Sequence, residues 1–246
     1  MEALLKMSCH ADSLGESPLH GVFASRSICE IFTSLLILAS AGVSPNIFVA
    51  AQAGIADMKV LGLWLLLPAI AMLLVAFMFA WMRGYMWLVN RVLAGAAAGI
   101  IATVGLEAVR MYSFHHGGMP GDLPRLMGVL LTDQFMVGPS DLSDTLGYAY
   151  HYWNGASFGI VFAVALGRKA VFWGIAYGVI IGTIFLMSPP VDALGIGFMG
   201  RDMPTMPLTV YIAHLVYGGI LGWLCHRWIR NDGWLLGRSD SLSTRV

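Results

Sequence analysis

Long apolar stretches alternate with short polar connections along this chain. Apolar runs recur at about 28–50, 60–81, 91–112, 146–166, 171–188 and 208–229. A helix needs about 20 predominantly apolar residues to cross the hydrocarbon core of a bilayer. The pattern therefore predicts an all-α, polytopic membrane bundle of about six transmembrane helices. The second run, VLGLWLLLPAIAMLLVAFMFAW, holds no charge, and its Pro68 is tolerable in a membrane helix. In the first run, Ser44-Pro45-Asn46 predicts an early end or a kink. The polar remainder divides the chain into an N-terminal tail (1–27), a transmembrane domain (28–230) and a C-terminal tail (231–246). Residues 113–145 form the longest connection. Within it, LPRLMGVLLTDQFMVG predicts a short helix on the membrane surface, with Pro124 suited to its first turn.

Small residues recur at helical spacing inside the runs. The third has Gly95-x3-Gly99, and the fifth has Gly174-x3-Gly178-x3-Gly182. The fourth and sixth share His-x3-Gly-x3-Gly, as His151, Gly155, Gly159 and as His214, Gly218, Gly222. This pattern reads as a parallel repeat of one helical hairpin, spans three and four followed by spans five and six. Small residues four apart let helix backbones approach closely, so packing is the first role expected of the glycines.

Composition agrees with the membrane reading. The chain is 58% hydrophobic and 11% charged, where a soluble domain carries about 25% charge. Of 14 Lys and Arg, only Lys59, Arg110, Arg125 and Arg201 fall on the side that bears the long connection. The positive-inside rule then predicts a multi-pass protein of the cell membrane with both termini cytoplasmic and 113–145 as an external loop. Cys9, Cys29 and Cys225 lie on or near the cytoplasmic side without Cys-x2-Cys spacing, so structural disulfides are not expected there. MEALLKM is too short an apolar stretch for a signal peptide.

Charge and histidine positions supply the candidate chemistry. His115, His116, His151 and His214 map to one membrane face, at the ends of three helices, and Glu107 lies just inside the same face. Ionisable groups at membrane depth are costly and mark functional sites by default. Imidazole and carboxylate are common transition-metal ligands, so these five form a candidate metal site, with His151 and His214 as core ligands. Methionines concentrated on that face favour copper through soft thioether chemistry, although Met is also an adaptable apolar filler. A bis-histidine haem between His151 and His214 ranks below copper. Spacing also puts His151, Asn154, Gly155 and Phe158 on one helical stripe, and His214, Tyr217, Gly218 and Leu221 on another.

Three functions compete at this level. One is a membrane metalloprotein for metal handling or redox chemistry. The second is a non-catalytic accessory subunit whose partners are the lipid bilayer and other membrane subunits or copies of itself. The third is a small transporter. No basic patch with interleaved aromatics occurs in the sequence, so nucleic acid is not expected as a partner. Gly-x-Ser-x-Gly, His-Glu-x-x-His and phosphate-loop motifs are absent from the sequence.

Overall fold

The computed structural model describes residues 26–231. Both predicted tails lie almost wholly outside the described residues. Those described are helical, without strands. In chain order the helices are α1 (Ile28–Gln52), α2 (Met58–Met82), α3 (Met86–His115), α4 (Leu123–Thr132), α5 (Asp141–Leu166), α6 (Val171–Leu186), α7 (Pro189–Ala193) and α8 (Thr205–Trp228). A single 3-10 turn, Phe198–Gly200, precedes α8.

Local chemistry explains the boundaries. Ser27 caps α1, and Glu30 returns a hydrogen bond to the Ser27 backbone in a capping box. The helix runs through Pro45 to Gln52, so the expected early end does not occur. Pro68 has no N–H to offer the Trp64 carbonyl, and the turn ahead of it, Gly62–Leu66, is π-helical. Ser140 and Ser143 form a reciprocal cap at the start of α5. Pro124 sits in the first turn of α4, as expected, but the helix is sutured to the bundle. A side chain at Gly128 would collide with the Ser143 carbonyl, and one at Gly147 with the Pro124 carbonyl.

Four helices, α1, α2, α3 and α8, are long and apolar enough to cross a membrane. The 26-residue α5 carries Asp141 and Asp144 in its first turn, and α6 has 16 residues, about 24 Å at 1.5 Å per residue. The architecture is a helical membrane bundle. Its outermost member, α2, turns Leu63, Trp64, Leu74 and Val75 outward, each more than half exposed. Apolar surface on that scale suits lipid contact, not water.

Two glycine seams organise the interior. In the first, α3 meets α5: side chains at Gly95 and Gly99 would strike the carbonyls of Gly159 and Gly155. In the second, α6 meets α8: side chains at Gly174 and Gly178 would strike the carbonyls of Gly218 and His214. The helix α8 also packs on α3 and joins the two hairpins. The contacts align them. A Cβ at Gly155 would lie 3.1 Å from the Gly99 carbonyl oxygen, and one at Gly218 would strike that of Gly174. Gly99 therefore corresponds to Gly174, Thr103 to Gly178 and Glu107 to Gly182, while His151 corresponds to His214.

At the end opposite α4, Arg91 is completely buried and donates to the Val164 carbonyl at 3.1 Å. Trp87 donates to Glu30 at 3.0 Å and stacks under Arg26. Cys29 is disulfide-bonded, contrary to the expectation drawn from its side of the membrane, because spacing along the chain does not reveal which thiols meet. Cys9 lies outside the described residues, and Cys225 is a buried free thiol.

Candidate functional site

The last turns of α3 carry Glu107 and Arg110, three residues apart and so on one helical face. Both are buried, at 6% and 4% exposure. Their contact is bidentate: Arg110 Nε donates to Glu107 Oε1 at 2.8 Å, and Arg110 Nη2 to Glu107 Oε2 at 2.6 Å. This fork geometry is the strong form of an ion pair. Arg110 Nη2 also lies 3.1 Å from Oδ1 of Asp122, in the turn leading into α4. Tyr148 on α5 donates its hydroxyl to the other Asp122 oxygen at 2.9 Å. One turn further along α5, His151 Nε2 sits 2.8 Å from Glu107 Oε1. A buried arginine is thus faced by two carboxylates, and each carboxylate has a further partner on α5. Burying ions is costly unless they are paired in this way.

Beside this network lies a cavity of about 360 Å³ bounded by α1, α3, α4, α5, α6 and α8. Its wall is mostly apolar, with Phe48, Leu106, Met127, Phe158, Ile181 and Val210 among the lining residues. Polar groups also reach it: Arg110, Thr103, Asn154, His151, His214 and Tyr217. Several are already committed. Thr103 donates to Gly99 O at 2.8 Å, Tyr217 to Gly155 O at 2.8 Å, and Ser44 to Asn154 Oδ1 at 2.5 Å. Arg110 Nη1 is different, being buried without a hydrogen-bond partner. His214 Nδ1 donates to the Val210 carbonyl at 2.8 Å. In the neutral ring that leaves Nε2 with a lone pair and no proton. The site can therefore offer one guanidinium donor and one imidazole acceptor to a molecule in an apolar chamber.

The structure divides the five predicted site residues into three groups. Glu107 and His151 are brought together. His214 shares a cavity with His151 but does not touch the carboxylate network. His115 and His116 are exposed and donate to carbonyls of their own helix, Met111 and Tyr112, each at 2.7 Å. Among the described residues, no group of three or more His, Cys, Asp or Glu side chains is placed to hold a metal ion. The methionines are spread as well. Met119 and Met127 line the cavity, Met206 is core, and Met136 is 94% exposed.

Two participants were missed by sequence reasoning. Asp122 reads as a loop acid, and only the fold of the long connection returns it to Arg110. Tyr148 carries no signal beyond lying one turn before His151, on the same face. The helical stripes fared better: His151, Asn154, Gly155 and Phe158 all line the cavity with His214 and Tyr217, while Gly218 packs in the α6/α8 seam and Leu221 in the core. The chain matches no protein-family model, and no curated protein or solved structure matches it.

Proposed function

We propose that this protein is a membrane carrier, or a binding protein of the same kind, for a small molecule held in this cavity. The reading belongs to the transporter class named above. One observation carries it: an apolar chamber within the roughly 300–1,000 Å³ range of ligand pockets has in its wall a buried arginine with an unpartnered donor. Ion networks of this kind inside membranes mark substrate pathways. The apolar lining supplies affinity, and the few polar groups supply orientation.

Native mass spectrometry of the purified protein tests this. Ala213 is 3% exposed and lines the cavity, so Ala213→Trp fills it. Wild type should carry a small-molecule adduct that this variant loses. A bare wild-type mass, or an adduct unchanged in Ala213→Trp, would sink the reading.

A second reading keeps the metal. It rests on His151 and His214 as two walls of one chamber, with copper as the ion and further ligands supplied by a bound molecule. Metal analysis of wild type and of His151→Ala/His214→Ala decides it; equal metal content in both removes it.

The excess of Lys and Arg on one side supports both termini lying in the cytoplasm. The disulfide at Cys29 pulls the other way, since such bonds are rare in reducing compartments. Impermeant thiol labelling of intact cells should reach a cysteine at His116 and spare one at Arg83. The reverse pattern would invert the topology.

A further inference from the structure

Building on the carrier reading, we propose that the ligand is an uncharged amphiphile with a hydroxyl or carbonyl head. It enters sideways from the bilayer between α1 and α6. Charge balance sets the first part. Arg110 is the cation at the chamber wall, and Glu107 and Asp122 already oppose it at 2.6 and 3.1 Å. Two carboxylates against one guanidinium leave no positive charge to offset the desolvation of an anionic head, and Arg110 Nη1, the unpartnered donor at the wall, is itself cationic and repels a cationic one. What remains is hydrogen-bonding capacity. Arg110 Nη1 is a buried donor without an acceptor, and His214 Nε2 is an acceptor because Nδ1 holds the Val210 carbonyl. A carbonyl satisfies the first group, and a hydroxyl satisfies both. The rest of the wall accepts only an apolar body.

The route follows from helix packing. α1 packs on α2, α5 and the short α7 that follows α6, and α6 packs on α8, but α1 and α6 themselves share no packed seam. Residues from both helices nevertheless line the chamber. Of the lining residues only Asn46 on α1 and Ile184 on α6 are exposed. They mark the two sides of a lateral opening at the level of the apolar wall. A membrane-soluble ligand reaches the site there without crossing water.

Three probes with one tail and different heads test the proposal: dodecanol, dodecanoate and dodecyltrimethylammonium. Each is offered to the protein in nanodiscs, and binding is read by native mass spectrometry. Dodecanol should bind at least about tenfold more tightly than either ion. Arg110→Lys keeps a cation beside Glu107 but loses the forked second nitrogen, and His214→Phe loses the acceptor. Each should weaken dodecanol about tenfold, the scale of one hydrogen bond to a charged or buried group. Ile184→Trp should slow its binding and release alike.

Tighter binding of either ion overturns the uncharged head. Full dodecanol affinity in both Arg110→Lys and His214→Phe overturns the placement of that head. Unaltered rates in Ile184→Trp overturn the lateral route. A native adduct that Ala213→Trp removes, with no probe bound, overturns the ligand class and leaves the carrier reading standing. Probes that bind wild type and Ala213→Trp equally, with no native adduct, overturn both.

Discussion

The α3/α5 and α6/α8 hairpins use the same seam to different ends. Each presses glycine backbone against glycine backbone, and each places a histidine at the same point of its second helix. Opposite that histidine the first hairpin has Glu107, 2.8 Å from His151. The second has Gly182, where an added Cβ would lie 3.1 Å from His214 Cγ. One turn on, the first has Arg110 and the second has Phe185. Only the first hairpin carries the α4 insertion, which delivers Asp122. Close backbone packing is thus a scaffold that both copies retain, while ionic chemistry appears only where an inserted segment completes the pairing.

The largest test of this contrast removes the acid. Glu107→Ala strips Arg110 of its bidentate partner and leaves a buried cation held by Asp122 alone. Breaking a buried pair in this way costs about 3–5 kcal/mol, read as a lowered unfolding temperature in detergent. The matching change, Gly182→Ala, sets a methyl 3.1 Å from His214 Cγ and 3.2 Å from its Cβ, contacts that a small helix shift relieves, and gains helix propensity, so its net effect should stay within about 1 kcal/mol. Equal losses at the two positions would mean that the hairpins do not differ as described.

The seams should respond alike. Gly99→Val and Gly174→Val each drive a branched side chain into backbone carbonyls of the facing helix. Backbone cannot rotate aside as a side chain can, so each change should cost roughly 3 kcal/mol, the upper range for overpacking. A benign Gly174→Val beside a damaging Gly99→Val would show that the second seam is loose and the alignment of the hairpins is superficial.

The fold was far more legible in the sequence than the site. Apolar runs of membrane length predicted the bundle, because a helix in lipid must be apolar along most of its length and satisfies its backbone internally. The glycine spacing revealed both seams for a similar reason, since close approach requires small residues at one helical period. Glu107 and Arg110 stand three apart in the sequence, a spacing that puts them on one helical face. Asp122 carries no such signal, because its contact depends on how a long connection folds back. His115 and His116 misled as site candidates through their position at a helix end, where each ring simply bonds the carbonyl four residues back. Membership of a face is periodic and readable. Direction toward a shared centre is tertiary and is not.

A smaller prediction concerns the link between the hairpins. Tyr217 on α8 is buried and donates to the Gly155 carbonyl on α5, so its hydroxyl ties one histidine stripe to the other. Tyr217→Phe keeps the ring and removes the bond, for about 1 kcal/mol. A change near zero, measured by the same thermal unfolding, would mean that apolar packing alone holds α8 against α5.

The smallest effect belongs to a glycine outside both seams. Gly42 sits in the middle of α1 with nothing within 4 Å of the position a Cβ would take. No close approach requires it, so only the cost of glycine in a helix acts there. Gly42→Ala should be neutral or stabilising by up to about 1 kcal/mol. The value of the test lies in the contrast with Gly99 and Gly174. All three are helical glycines in apolar surroundings, and composition or hydropathy would rank them together. If Gly42→Ala destabilised as much as the seam variants, glycine would be needed for backbone freedom throughout the bundle. The two seams would then lose their standing as the feature that sets these hairpins apart.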